Sequence, residues 1–361
     1  MVTEKITILG GGNTAFAVAA KLSLDGASVT LCELPDFAEA VEPVRESRSI
    51  SLSGVAGQGV APVRHVTTDF AEGLTDVKLV LLIVPAYGHR AFAEACAPHL
   101  DNDQIIVLMP GTLGSLEFVH ILKQQCTADR LIIAETDTAP YVCRKTSPKA
   151  AHIWGMVEGL GLGVMPHSEG ERARKVVDRW FPGVHLYPNV LACGLAAMNP
   201  VVHPAGVLLN AGRVEYSRGD FYFYKEGVTP AVCRLICDVD RERLAIAKAL
   251  DLDLLPVEAA FYEAGFGPKG DLWATINGSY MLTQLRAPSI LDTRWLSEDV
   301  PYGLATWAML GQQLGVNCPT MRALVNVASA TLGRDFWEAA RTLKHLGIEG
   351  LSKQDLLNYI K

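Results

Sequence analysis

The stretch KITILGGGNTAFAVAAKLSLDGASVTLCE, residues 5–33, constrains the fold of this chain more than any other. KITILG alternates and is β-branched, which predicts a strand, and SVTLCE predicts a second strand that ends in Glu33. Between them a glycine turn leads into a helix of small residues that Gly26 stops. Strand, glycine turn, helix and strand within about 30 residues are typical of a βαβ unit in a doubly wound α/β sheet.

The glycine turn has the spacing of a dinucleotide-binding motif. Gly10 permits the tight turn, and Gly12 lets the backbone approach a pyrophosphate that lies on the positive end of the helix. Ala15 holds the third position, where a small residue lets the helix pack on the strand. The alternative is an ordinary βα turn without a ligand.

Glu33 bears on the choice of cofactor. It lies where a carboxylate binds the ribose 2′ and 3′ hydroxyls and repels a 2′-phosphate, which favours NAD(H) over NADP(H). Arg45 and Arg48 lie nearby in the sequence, so NADP(H) stays open.

Further strands continue the doubly wound pattern. They are expected at residues 77–85, 104–111 and 131–136, with helices between them and one or two edge strands within 152–166. Ligands bind at the carboxyl ends of such strands, so the loops that follow should face the cofactor. The residues expected to bind it are Gly10, Gly12, Asn13, Ala15, Glu33, Pro85 and Glu135.

The second half has a helical period. Residues 229–252 open with Thr229 as N-cap and Pro230 in the first helical position, and segments 304–316, 319–332 and 337–347 continue in the same style. We therefore expect a dinucleotide-binding Rossmann domain over 1–190 and an all-α substrate domain over 191–361.

The apolar segment MNPVVHPAGVLLN, residues 198–210, carries Asn199, His203 and Asn210 on one helical face. An imidazole gives and takes protons near neutral pH, and reduction of a carbonyl or imine by NADH needs a proton donor. Asn199 is a candidate for positioning a substrate oxygen or the nicotinamide amide, whereas Asn210 suits a backbone contact. The alternative is a core histidine that satisfies carbonyls freed by the two prolines of this segment.

The stretch LDTRWLSEDVPYGL, residues 291–304, has turn character. Asp299 is a candidate to bond the second imidazole nitrogen of His203, and Arg294 is a candidate to clamp a substrate carboxylate. The alternative is a salt bridge within one surface loop. No spacing argument connects Asp299 with His203.

Composition excludes several function classes. The net charge is −7, with 39 acidic against 32 basic residues and no basic run, which argues against nucleic acid or an anionic membrane as a partner. No apolar stretch is expected to reach the length that crosses a bilayer, and no signal segment is expected at the start. The eight cysteines lack a C-x-x-C pair and metal-ligand spacing, so we expect free thiols, no metal and a cytoplasmic location.

Several motifs together resemble the opine dehydrogenase family, which includes octopine and nopaline dehydrogenases. They are GGGNTAFAVAAKL, VPAYGH, MPGTLGSLEF, ETDTAPYVCR, NPVVHPAGVLLNAGRVE, FYFYKEGVTPAV, DRERLAIAKAL and DTRWLSEDVPYGL. The motifs around His203 and Arg294 are the specific ones. The resemblance implies a Rossmann domain followed by an all-α domain of the 6-phosphogluconate-dehydrogenase-like kind.

The resemblance also implies an NADH-dependent reductive condensation of an amino acid with a 2-oxo acid such as pyruvate. His203 would be the acid/base, Asp299 its partner and Arg294 a carboxylate anchor, with Asn199 beside the substrate. The partners would be the two small molecules, and exposed helical surface in the second domain allows a homodimer.

Two rival functions remain. A 2-oxo or 3-hydroxy acid reductase of the ketopantoate-reductase type has a lysine on the helix that enters its second domain, whereas this chain has none between Lys175 and Lys225. A catalytically dead NAD(H)-sensing protein would lose its acid/base residues, whereas His203 and Asp299 are both present. The amino acid, the 2-oxo acid and the stereochemistry are not determined by the sequence.

Overall fold

A computed structural model describes residues 4–125 and 130–361. The chain divides into two compact units. One ends at Val190 and includes Lys361, and the other is Leu191–Ile360. Each unit is described by itself below. The assignment of cofactor binding to the first and substrate binding to the second stays a prediction.

Strands occur in the first unit. They are β1 (Lys5–Leu9), β2 (Ser28–Cys32), β3 (Ser49–Gly54), β4 (Gly59–Pro62), β5 (His65–Thr67), β6 (Leu79–Leu82), β7 (Ile105–Leu108), β8 (Ile132–Thr136), β9 (Tyr141–Ser147), β10 (Ala150–Met156), β11 (Gly161–Met165) and β12 (His185–Leu186). Within the described residues, eight of them form a sheet in the order β12-β11-β8-β7-β6-β1-β2-β5. Its pairs are parallel except β11 with β8.

The strands at the centre of this sheet can be recognised from their apolar residues. All four residues of β6 and of β7 are buried, as expected for central parallel strands covered on both faces. β2 lies on one side of β1 and β6 on the other, so the chain first adds strands in one direction from β1 and then in the opposite direction. This order confirms the expected doubly wound arrangement.

A second sheet of four strands, in the order β4-β3-β10-β9, was not expected from the sequence. The expectation that residues 152–166 close the edge of the main sheet is wrong in part, because β10 belongs to this second sheet. β11 does join the main sheet, but β12 covers it and forms the edge.

The helices of the first unit lie between strands, although β3–β5 and β8–β11 follow one another without a helix. They are α1 (Asn13–Leu24), α2 (Glu42–Ser47), α3 (Phe70–Leu74), α4 (His89–Cys96), α5 (Gly114–Gln125) and α6 (Gly170–Asp178). Residues 15–20 of α1, five of them alanine or valine, are fully buried because small side chains let a helix approach the sheet closely.

The second unit is helical. α7 (Val190–Leu195) begins at the boundary residue, and the rest are α8 (Asn199–Leu209), α9 (Ala211–Ser217), α10 (Pro230–Ala249), α11 (Val257–Glu263), α12 (Leu272–Asn277), α13 (Tyr280–Thr283), α14 (Arg294–Ser297), α15 (Ala305–Gln313), α16 (Pro319–Leu332) and α17 (Lys353–Tyr359). Two π-helical turns, Phe223–Gly227 and Asp299–Leu304, interrupt them. Thr229 caps α10 as expected, since its side chain accepts from the Val232 N–H.

The expected helix over 337–347 is wrong. This segment forms turns, because tertiary hydrogen bonds replace those of a helix. The Arg341 N–H donates to the Pro301 carbonyl and the Arg341 carbonyl accepts from the Thr306 hydroxyl. The fully buried Arg341 side chain thereby fastens this segment to the Asp299–Leu304 turn.

Of the described residues, one segment, Val190–Leu209, is long and apolar enough to cross a membrane by length and composition. The expectation that no stretch reaches this length is therefore wrong. However, 83% of the window is buried inside the protein, and it comprises α7 and α8. Its apolar character serves the core of the second unit.

Candidate active site

The glycine turn has the geometry that a dinucleotide needs. Gly10 adopts φ +116°, and a Cβ there would lie 2.6 Å from the Ile83 carbonyl oxygen. A Cβ on Gly12 would meet nothing within 4 Å, so the turn is open where a pyrophosphate would approach. Gly12 is also the N-cap of α1 and has no side chain that could cap the helix. The fully buried Ala15 packs α1 on the sheet. These features fit a dinucleotide.

Glu33 follows β2 and is buried against the glycine turn. Its Oε1 accepts from the Leu34 N–H at 2.8 Å, and the Gly11 N–H also donates to this carboxylate. Burial raises the pKa of Glu33, and these hydrogen bonds and the charge of Lys145 oppose that effect. The structure thus brings Glu33 to the turn, and its contact with a ribose stays a prediction.

Lys145, on β9, was missed by sequence reasoning. Its Nζ donates to the carbonyls of Gly11 at 3.2 Å and Ala40 at 3.3 Å, and lies 3.7 Å above the Phe16 ring. Burial lowers the pKa of Lys145, and the charge of Glu33 raises it.

Asn13 is held by the same strand, because its Oδ1 accepts from the Lys145 N–H at 2.9 Å. β9 therefore fastens the glycine turn from outside the βαβ unit, and no pattern within residues 5–33 could reveal this.

Of the other two expected cofactor residues, Pro85 follows β6 and Glu135 lies within β8, near its carboxyl end. Pro85 is half-buried and begins the turn before α4. Glu135 is fully buried, and its two oxygens accept from the N–H groups of Leu113 and Ser115, each at 2.9 Å. Glu135 thus holds the loop before α5, and a contact of Pro85 or Glu135 with the cofactor stays a prediction.

His203 is the centre of the second unit's polar site. Its Nδ1 lies 2.8 Å from Asp299 Oδ2, and its Nε2 lies 3.1 Å from the Tyr224 hydroxyl. The side chains of His203, Asp299 and Tyr224 are all buried. The expected partnership of Asp299 with His203 is therefore present in the structure. The alternative in which His203 satisfies proline-freed carbonyls does not fit, because both ring nitrogens have side-chain partners.

Aromatic rings cover one face of this imidazole. The Trp295 ring stacks on His203 with centroids 4.4 Å apart and an interplanar angle of 6°. Phe223 contacts Trp295 edge-on at 4.6 Å. Burial and the charge of Asp299 raise the pKa of Tyr224 well above its ordinary range, so its hydroxyl stays protonated.

Three close approaches assemble these side chains. A Cβ on Gly303 would lie 2.4 Å from Pro200, and a Cβ on Gly206 would lie 2.5 Å from the Phe223 ring. The Asn210 amide donates to the Gly227 carbonyl at 3.0 Å. α8 can thus lie directly against both π-helical turns, which places Asp299 and Tyr224 on either side of His203.

The two expected substrate-binding residues are exposed. Arg294 is the first residue of α14, next to Trp295, and its Nε lies 3.4 Å from Glu298 Oε2. Asn199 is the first residue of α8, one turn before His203. Neither belongs to the hydrogen-bonded chain of His203, and their contacts with a substrate stay predictions.

The aromatic residues of segments 220–224 and 272–281 differ in burial: Phe223 is fully buried, whereas Trp273 and Tyr280 are exposed. Tyr224 is buried but bonds His203. His89, the first residue of α4, is fully buried. Within 4–125 and 130–361, no group of three His, Cys, Asp or Glu side chains could hold a metal ion.

Comparison with known proteins identifies the family. The family model described as NAD/NADP octopine/nopaline dehydrogenase, alpha-helical domain, matches residues 186–332, and that described as ketopantoate reductase PanE/ApbA matches residues 6–138. The opine dehydrogenase of Arthrobacter sp. (strain 1C) is 32% identical over 352 residues, which cover 97% of each chain. The chain belongs to the opine dehydrogenase family. The resemblance stated from the motifs is thereby confirmed.

Solved structures of opine dehydrogenases share the fold. An octopine dehydrogenase in complex with NADH and agmatine has a TM-score of 0.80 at 20% identity and covers 99% of both chains. An NADP+-bound yersinopine dehydrogenase has a TM-score of 0.73 at 15% identity and covers 96% of this chain and 98% of that one. The expected fold class, a Rossmann domain followed by a helical domain, is confirmed, and both cofactor types occur on this fold.

Proposed function

We propose that this member of the opine dehydrogenase family catalyses the NAD(H)-dependent reductive condensation of an amino acid with a 2-oxo acid, and the reverse oxidation. The observation that carries the proposal is the buried hydrogen-bonded pair of His203 and Asp299. A carboxylate on one imidazole nitrogen orients the ring and leaves the other nitrogen for proton transfer.

This reaction consumes one proton, so it needs a group that acts as an acid. The amine attacks the carbonyl carbon of the oxo acid, the resulting hydroxyl takes one proton and leaves as water, and a protonated imine forms. A hydride to the imine carbon then gives the secondary amine, so each turnover consumes one proton and one hydride. His203 is proposed to give that proton and, in the oxidation, to accept it.

Hydride transfer is what the bound nicotinamide supplies. Gly10, Gly12 and the N-terminus of α1 are proposed to hold its pyrophosphate, with Glu33 on the adenosine ribose. The buried Glu33 carboxylate favours NAD(H), because a 2′-phosphate would meet a second negative charge there. NADP(H) stays open as a weaker cofactor.

Arg294 is proposed to hold the carboxylate of the oxo acid through two parallel hydrogen bonds. Its guanidinium is exposed and meets Glu298 only at 3.4 Å, so it is accessible to a stronger carboxylate contact. Asn199 is proposed to position a substrate oxygen. Octopine dehydrogenase structures are described with L-arginine and with pyruvate, and pyruvate is the 2-oxo acid to try first here.

A cytoplasmic location is part of the proposal. Free thiols support it: Cys32, Cys96, Cys233, Cys237 and Cys318 form no disulfide, and all of these except Cys237 are buried.

NADH oxidation tests the function directly. We expect turnover with a 2-oxo acid together with one member of a panel of amino acids and amines, and none with either alone. Turnover with an oxo acid alone would show an ordinary reductase on the same scaffold. No turnover with any pair would support the NAD(H)-sensing alternative.

His203→Ala separates catalysis from cofactor binding. It should lower kcat by about a hundredfold or more, the usual contribution of a general acid, while NADH binding measured by fluorescence is retained. Equal loss of binding and turnover would mean that His203 is structural.

A further inference from the structure

We infer that Tyr224 is a positioning residue for the proposed reaction, which holds the imidazole of His203 in one orientation through both of its protonation states. This rests on the proposed role of His203 as the acid/base. It goes further because it assigns a function to a third residue, Tyr224, which bonds the imidazole of His203.

The hydrogen bonds decide which nitrogen reacts. Asp299 occupies Nδ1 at 2.8 Å, and an ionised carboxylate only accepts, so Nδ1 carries a hydrogen. The proton of the reaction must therefore arrive at and leave from Nε2. That nitrogen lies 3.1 Å from the Tyr224 hydroxyl. Tyr224 is thus the resting partner of the reacting nitrogen.

A hydroxyl suits this place because the demand at Nε2 reverses during turnover. In the neutral ring Nε2 is an acceptor and needs a donor, whereas in the imidazolium it is a donor and needs an acceptor. A phenol provides a donor for the neutral ring and an acceptor for the imidazolium, because its O–H bond can rotate. An amide would need to turn over completely, and a carboxylate or ammonium serves only one of the two states.

Burial makes the pairing necessary. His203 and Tyr224 are both nearly inaccessible, and the Trp295 ring covers one face of the imidazole. A buried Nε2 without a partner would cost free energy between turnovers and let the ring rotate away. The high pKa of the Tyr224 hydroxyl keeps it neutral and able to play both parts.

Charged groups on α14 and α10, two helices that pack against α8, have partners other than His203. Arg294 and Glu298, on the side of α14, pair with each other. On α10, the buried Arg243 bonds Asp240 at 2.7 Å and the Leu195 carbonyl at 3.0 Å. The residues of α16 buried toward the core are Met321, Leu324, Val325 and Ala328, which are apolar. Asp299 and Tyr224 are therefore the titratable groups bonded to His203.

Tyr224→Phe removes only the hydroxyl. We expect kcat to fall about tenfold while KM for the oxo acid changes less than about threefold, since one hydrogen bond to the reacting base is lost. The midpoint of the kcat/KM profile that reports the imidazole should move to lower pH, because the bond to the charged ring is the stronger one. A purely structural aromatic residue would not move that midpoint.

Tyr222→Phe is the matched control. It removes the same hydroxyl two residues away, where the Tyr222 ring lies under Arg286 and makes no contact with His203. It should leave kcat, KM and the pH midpoint at wild-type values. If Tyr224→Phe gives the same kinetics as Tyr222→Phe, the positioning role is wrong.

A measurement on the unaltered protein covers the case in which Tyr224→Phe does not fold. Nitrogen-15 NMR of labelled histidine, with His203 assigned from its loss in His203→Ala, should show the neutral tautomer with hydrogen on Nδ1 and a hydrogen-bonded Nε2. Hydrogen on Nε2 in the neutral ring would overturn the inference. This result is independent of turnover, so it separates failure of the inference from failure of the proposed function.

Discussion

Pro200 and Gly303 lie in direct contact, although 103 residues separate them (303 minus 200), and a Cβ on Gly303 would stand 2.4 Å from the proline ring. This contact brings the Asp299–Leu304 turn against the first turn of α8. His203 follows Pro200 by three residues on the same helix, so the approach of two backbones delivers the Asp299 carboxylate to the imidazole.

Gly303→Ala should therefore damage the site without touching a polar group. The added methyl has no room beside a rigid proline ring, so the turn must shift, at a cost of about 1–3 kcal/mol in the free energy of unfolding. We expect a lower Tm and a lower kcat, measured by thermal unfolding and NADH oxidation.

Gly212→Ala is the control, because a Cβ at Gly212 in α9 meets nothing within 4 Å. It should leave Tm equal or slightly raised, since alanine favours a helix. Equal kcat for Gly303→Ala and wild type would show that this contact does not set the position of Asp299.

Asp299→Asn tests the carboxylate at nearly constant volume. An amide lacks the charge that stabilises an imidazolium, and its N–H2 group can favour the wrong tautomer. We expect kcat to fall by about a hundredfold or more, with NADH affinity unchanged when measured by fluorescence titration. A fall of less than about threefold would mean that Asp299 only packs against α8.

Some residues of this site could be predicted from the sequence and others could not. The helical period placed His203 on a polar stripe, and the turn character of 291–304 drew attention to Asp299. Their meeting came only from family resemblance, because hydrogen bonding over a separation of 96 residues leaves no local pattern. Tyr224 was not singled out from the sequence, and only its hydrogen bond to His203, 21 residues away, reveals the use of its hydroxyl.

The fold, too, could be predicted from the sequence only in part. Strands β6 and β7 were predictable because continuous apolar runs are typical of buried parallel strands. The second sheet was missed because β4 and β9 alternate weakly and expose many side chains. The helix expected over 337–347 does not form because Arg341 bonds the Asp299–Leu304 turn, and tertiary contacts override propensity there.

Lys145→Met should weaken NADH binding. Methionine keeps an apolar stem over Phe16 but removes the ammonium that joins the carbonyls of Gly11 and Ala40. The glycine turn then loses two fastenings, and Glu33 loses a neighbouring positive charge. We expect the Kd for NADH to rise about tenfold in a fluorescence titration.

Lys149→Met is the matched control. Lys149 is exposed in the connection between β9 and β10, so this substitution removes the same charge from the same hairpin. It should change the Kd less than about twofold. If both variants weaken binding equally, the effect of Lys145 is general electrostatics and not support of the turn.

Asp137 should make stability depend on pH. Burial raises the pKa of Asp137 from 3.8 to about 6, although its carboxylate accepts from the Tyr187 hydroxyl and the Gly161 N–H. The folded state then holds a proton that the unfolded state releases, so the contribution of Asp137 to stability is greatest below about pH 4 and is lost as pH rises to about 6. Asp137→Asn removes this effect, so the Tm difference, wild type minus variant, should decrease across that window.

Tyr187→Phe sharpens the same test. Loss of a hydrogen bond that lowers the pKa of Asp137 should extend the window to higher pH. A Tm difference that stays constant from pH 4 to 6.5 would show that Asp137 titrates alike in both states.

Arg294 tests how the oxo acid is anchored. If its guanidinium holds the substrate carboxylate through two parallel bonds, Arg294→Ala should raise KM for the oxo acid about 10- to 100-fold, because charge-assisted bonds are the strong ones. Arg294→Lys should recover only part of that loss, since an ammonium lacks the planar fork. Glu298→Gln removes the carboxylate that now lies 3.4 Å from the Arg294 Nε, so it should leave KM equal or lower. A rise in KM for the amine alone would place Arg294 on the other substrate.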